Sequence, residues 1–109
     1  MKDLQLLGRK IKIKHVTMAE LREIYPDNTE EVWGWYAPME YTIYLYSGLE
    51  EEGYKRVLLH ELTHALIDIS GISYTLRGNH EEAICTLMEN MLELFQNKKF
   101  IEEDRKSVV

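Results

Sequence analysis

The segment His60-Glu61-Leu62-Thr63-His64 sets two imidazoles four residues apart with a carboxylate beside the first. On a helix, positions i and i+4 lie one turn apart on the same face. Both rings can then reach one metal ion, and the glutamate stands close enough to hold a metal-bound water. Zinc suits these donors, because it favours imidazole nitrogen, and three protein ligands leave a fourth position for water. A chain of 109 residues would show this five-residue pattern by chance in roughly a few cases per thousand, so coincidence is the weaker explanation.

Helical phase says where the site faces. At about 100° per residue, His64 falls about 40° and Glu61 about 100° from His60, whereas the apolar stripe Leu58, Leu62, Leu66 and Ile69 centres about 180° away. The ligands are therefore expected to face away from the main core, toward a cleft. A third ligand is needed, and His80, Glu81 and Glu82 stand together at the head of the next helical pattern. That helix carries an apolar stripe centred on Ile84, Met88 and Phe95. Glu81 lies about 40° from it and Glu82 about 140°, so phase favours Glu81 and leaves Glu82, the third residue of the helix, to cap it. His80 is only slightly further off axis than Glu81 and would give a three-histidine site. A glycine and a third histidine do not follow within the next turns, which excludes the longer H-E-x-x-H-x-x-G-x-x-H motif.

Two imidazoles and one carboxylate leave a zinc complex positively charged, which acidifies its water. Glu61 would act as general base, taking the water's proton during attack on a carbonyl and delivering a proton to the leaving amine. Tyr74, between the two helices, is one candidate among seven tyrosines for stabilising the oxyanion. Asp68 follows His64 by one turn and could orient a ligand histidine through its far N–H. Cys85 is expected to pack as a small apolar residue.

The surrounding elements are legible from capping and periodicity. Thr17 with Glu20, Ser47 with Glu50 and Asn79 with Glu82 each have the spacing of a capping box and predict three helix starts. The first helix spans about 18–25 and is stopped by Pro26. The second spans about 49–70 with Gly71 as its left-handed stop. The third begins after Asn79, with Ile84, Met88, Met91, Leu92 and Phe95 as its stripe. Lysine alternates with isoleucine from Lys10 to Val16, Trp33 to Tyr36 is aromatic, and Tyr41 to Tyr46 is β-branched and aromatic, so all three predict strands. Asp27-Asn28 and Ala37-Pro38 punctuate them. The expected fold is α+β, a small antiparallel sheet packed on a long motif helix and a ligand-bearing helix, in one domain over 1–109. The strand at Tyr41–Tyr46 could offer its edge to an extended peptide.

Bulk properties exclude other classes. A formal net charge of −6 leaves no cationic excess for nucleic-acid phosphates. The alternating Arg9, Lys10, Lys12 and Lys14 fit the wet face of a strand. No apolar run reaches membrane-spanning length. One cysteine and the absence of a signal peptide's apolar core from Met1 to Gln5 fit a reducing, cytoplasmic setting.

His60-Glu61-Leu62-Thr63-His64, followed by Asn79-His80-Glu81-Glu82-Ala83 at the head of another helix, resembles the gluzincin branch of the zinc peptidases. The nearer likeness is to the very small members called minigluzincins and to short H-E-x-x-H proteins of bacteriophages and prophages. It spans most of Tyr41 to Gln96. The resemblance implies a zincin-like fold in which His60, His64 and Glu81 hold zinc and Glu61 is the catalytic base, acting on a peptide or protein substrate. The chain has no second lobe to wall a cleft, and no counterpart of the histidine or tyrosine that stabilises the oxyanion in larger members is identified. The acidic segment Ile101 to Asp104 reads as a frayed terminus, with folding back over the metal as the alternative. Two rival expectations stand beside the peptidase: a catalytically silent zinc-binding interaction module, and a zinc amidohydrolase on a non-peptide substrate. An intact Glu61 speaks for catalysis, because a structural zinc needs four protein ligands and no base.

Overall fold

The computed structural model describes residues 2–25, 32–77 and 79–96. The expected stop at Pro26, the Asp27-Asn28 turn and the acidic segment 101–104 lie outside them, as do the side chains of Leu92 and Phe95.

The chain opens on a hairpin that the sequence patterns did not predict. Strand β1 (Lys2–Leu6) returns antiparallel as β2 (Arg9–Val16), with Leu6 opposite Arg9. Only Leu7 and Gly8 lie between the strands, both at positive φ (50° and 80°). This is the mirror-image turn whose twist matches the strands, and Gly8 supplies its left-handed position without steric cost. Helix α1 (Met18–Ile24) follows, and its cap is the expected one: Glu20 N–H donates to Thr17 Oγ1 at 3.1 Å, and Thr17 N–H to Glu20 Oε1 at 3.2 Å. Then come β3 (Gly34–Ala37), β4 (Thr42–Tyr46), α2 (Glu51–Ser70), a 3-10 turn (Ile72–Thr75) and α3 (His80–Gln96).

The sheet runs β1-β2-β4-β3 and is mixed, not antiparallel as expected. β2 and β4 pair in parallel, Ile13 opposite Ile43, because the chain between them crosses over through α1 before β3 turns back into β4. A parallel pair requires such a crossover. Position in the sheet explains the composition of β4. It lies between β2 and β3 with both faces covered, so Thr42, Ile43, Tyr44 and Leu45 are all buried. Its edge is therefore not free for a peptide; the open edge beside the motif helix belongs to β3.

Ile11, Ile13, Ile43 and Leu45 turn one sheet face onto Ala65, Leu58, Leu62 and Ile69 of α2. Val16, Ala37 and Tyr44 turn the other onto Leu21 of α1. Leu66, expected in the α2 core stripe, is 43% exposed. Gly34 permits the approach that makes the site, since a Cβ there would come within 2.7 Å of Val57 on α2. The start of α2 also departs from expectation. Its cap residue is Glu50, with no side-chain cap, so Ser47 does not open the helix, whereas Gly71 (φ 81°) closes it as predicted.

Candidate metal centre

The middle of α2 lies between the sheet and α3, and the motif residues divide between these neighbours. Glu61 points under the sheet edge. It is 7% exposed, and its Oε1 accepts the Tyr36 N–H of β3 at 2.9 Å. Burial raises its carboxyl above the ordinary glutamate value, opposed by His64, His60 and the Tyr36 amide. Tyr36 grips α2 a second time two turns later, its hydroxyl donating to Asp68 Oδ2 at 2.7 Å. Asp68 is thus engaged by the strand and not by a ligand histidine.

Burial, then the Asp68 bond, raises the Tyr36 hydroxyl well above the ordinary tyrosine value of 10.0. The folded protein therefore keeps this proton at pH values where the unfolded chain releases it. The stabilisation is complete below about pH 10 and is lost as pH rises above it. Tyr36→Phe is expected to cost about 1.5 kcal/mol at neutral pH and to make the alkaline fall in urea midpoint shallower than in the wild type. An unchanged alkaline slope would exclude this coupling.

His60 and His64 face α3, their ring centroids 5.1 Å apart. Three carboxylates of α3 meet them. Glu82 spans both rings, with Oε1 2.7 Å from His60 Nε2 and Oε2 3.0 Å from His64 Nε2. Glu81 Oε2 lies 2.6 Å from His64 Nδ1, and Glu89 Oε1 3.4 Å from His60 Nδ1. Cys85, between them in sequence, is fully buried. Burial, reinforced by Glu82 and Glu81, pushes its thiol up to about 12, which is not the environment of a nucleophile.

Helical phase brought Glu81 to the site but misplaced Glu82. Measured from Ile84, Cys85, Glu89 and Glu82 lie at about 100°, 140° and 160°. That is the face α3 turns to the histidines, whereas Met88 on the apolar stripe is exposed. Glu82 consequently reaches the imidazoles and not the helix cap expected of it. Glu89 and Tyr36 were missed; the spacing Glu82-Cys85-Glu89, i, i+3, i+7, is the signal that marks a shared face. His80 is exposed and Tyr74 is 93% exposed, and neither lines the cleft.

The cleft has a volume of about 610 Å³, with Trp33, Gly34, Trp35 and Tyr36 along one wall and the histidines and acids along the other. Its donor set fits a metal cation. Ionised carboxylates only accept hydrogen bonds, and a carboxylate oxygen stands against each nitrogen of both histidines. Glu82 meets the Nε2 atoms of both rings, and among the described residues the ligand atoms of His60, His64 and Cys85 lie within 4.8 Å of one another, close enough to hold a metal ion. Glu81 and Glu89 meet the Nδ1 atoms, the position from which a second carboxylate fixes a ligand ring.

Comparison with protein-family models, curated proteins and solved structures gives no match. Among the described residues no helix is long and apolar enough to cross a membrane.

Proposed function

We propose that the chain is a zinc-dependent peptidase of minimal, zincin-like form. The observation that carries this reading is the Glu82 carboxylate spanning the Nε2 atoms of His60 and His64, with buried Glu61 beside them under an open sheet edge. His60, His64 and Glu82 hold the ion in this proposal, so Glu82 takes the ligand place that helical phase gave to Glu81. Glu81 and Glu89 orient the two rings.

When bound, zinc supplies a Lewis acid that polarises a carbonyl and acidifies water. The rest falls to the protein. The Tyr36 amide occupies Glu61 Oε1, which leaves Oε2 to take a proton from a water in the cleft that Glu61 shares with His60 and His64. Burial strengthens Glu61 as a base by raising its proton affinity. The same residue then returns the proton to the leaving amine. An extended peptide can lie along β3, the edge strand beside β4, where the Tyr36 N–H is already held by Glu61 and the neighbouring backbone groups remain to meet it. That places a peptide backbone along the wall of the cleft that holds Glu61.

The purified chain is expected to hold about one zinc and to cleave members of a peptide library, with activity removed by a chelator and restored by zinc. Zinc without cleavage selects the binding module, and absence of zinc removes the metal site altogether.

A further inference from the structure

Cys85 is the only cysteine of the chain. It is 0% exposed, and among the described residues its sulfur has no hydrogen-bond partner. It follows Glu82 by three residues and Glu81 by four, so it lies on the face of α3 that meets the histidines. Its Sγ and one nitrogen from each of His60 and His64 lie within 4.8 Å of one another. A tetrahedral zinc ion, with nitrogen at about 2.0–2.1 Å and sulfur at about 2.3 Å, spaces its donors roughly 3.5 Å apart. Closing that gap takes side-chain adjustments of roughly 1 Å.

We propose that Cys85 is a further protein donor to the ion, closing on it reversibly beside His60, His64 and Glu82 and slowing the peptidase without abolishing it. The inference rests on the proposed zinc site and concerns its regulation. Three protein ligands leave a position for water, whereas four shut it out. On closing, the thiol releases its proton to solvent as the sulfur–metal bond forms. On opening, the sulfur takes a proton back and water enters; no electron is transferred in either direction. A thiolate donor also biases the site toward zinc, cobalt and cadmium and away from magnesium and manganese, which prefer oxygen.

The test is cobalt substitution of the intact chain, followed by absorption spectroscopy. The wild type should show the intense near-ultraviolet thiolate-to-cobalt charge-transfer band that nitrogen and oxygen donors lack. Cys85→Ala and Cys85→Ser should lose that band, retain visible cobalt bands from the remaining three donors, and bind zinc at least about tenfold more weakly. Their zinc forms should cleave peptide faster than the wild type. Circular dichroism checks that each variant folds, and if neither does, the wild-type band alone decides. Cobalt that binds without the band overturns the Cys85 assignment and leaves the three-donor peptidase site standing. Failure of the wild type to bind cobalt or zinc overturns both.

Discussion

Glu61→Gln is expected to leave the zinc content at about one ion per chain and to lower peptide hydrolysis about 10²–10⁴-fold, the usual contribution of a positioned general base. The substitution isolates one property. Glutamine has nearly the same volume as glutamate, and its carbonyl oxygen can still accept the Tyr36 N–H that Oε1 accepts at 2.9 Å. The clamp between β3 and α2 therefore survives, together with the Tyr36 bond to Asp68. The metal donors also survive, because His60 and His64 face α3 while Glu61 faces the sheet edge. What disappears is a carboxylate able to carry a proton from water to the leaving amine. Metal analysis and initial rates on the same preparations make the comparison direct. Equal rates in mutant and wild type would remove Glu61 from the mechanism, and loss of zinc in the mutant would show that it helps to hold the ion.

The parts of this arrangement written in local spacing are legible in the amino-acid sequence. Thr17 with Glu20 caps α1 through local bonds, and Gly71 ends α2 because glycine takes the left-handed position without a Cβ penalty. The four-residue spacing of His60 and His64 needed only a helix. Features that depend on long-range pairing were not legible. The parallel register of β2 and β4 depends on a crossover that neither strand encodes, and β1 becomes a strand by pairing with β2 through a Leu-Gly turn whose first position lacks the usual Asn, Asp or Gly.

The error in the phase of α3 has a more specific cause. Taking the apolar stripe as the buried face assumes that hydrophobic burial alone orients a helix. Here α3 meets α2 through Glu81, Glu82, Cys85 and Glu89, and the partners that draw the three carboxylates to this face are the two histidines of the other helix. A face rich in acids is an ordinary solvated face until its cationic partners are known, and those come from residues some twenty positions earlier in the chain. The exposure of Leu66 and Met88 is the complement of the same arrangement.

That arrangement separates the two neighbouring glutamates by function, and zinc affinity is the measurement that distinguishes them. Glu82→Ala is expected to weaken zinc binding beyond the 10–100-fold range typical of losing a supporting residue, and Glu81→Ala to fall within that range. The asymmetry follows from which nitrogen each carboxylate meets. Glu82 lies against both Nε2 atoms, at 2.7 and 3.0 Å, so removing it takes a donor from the metal position itself. Glu81 lies against His64 Nδ1 alone, at 2.6 Å, so removing it frees one ring to rotate and lowers its basicity while the proposed donors all remain. Glu89→Ala should resemble Glu81→Ala with a smaller loss, because its contact with His60 Nδ1 is longer at 3.4 Å. Competition with a chromophoric zinc chelator measures all three on one scale. If Glu81→Ala proves the more damaging, the first two residues of α3 exchange roles: Glu81 becomes the ligand that helical phase indicated, and Glu82 becomes a surface acid that closes over the rings only when the metal is absent.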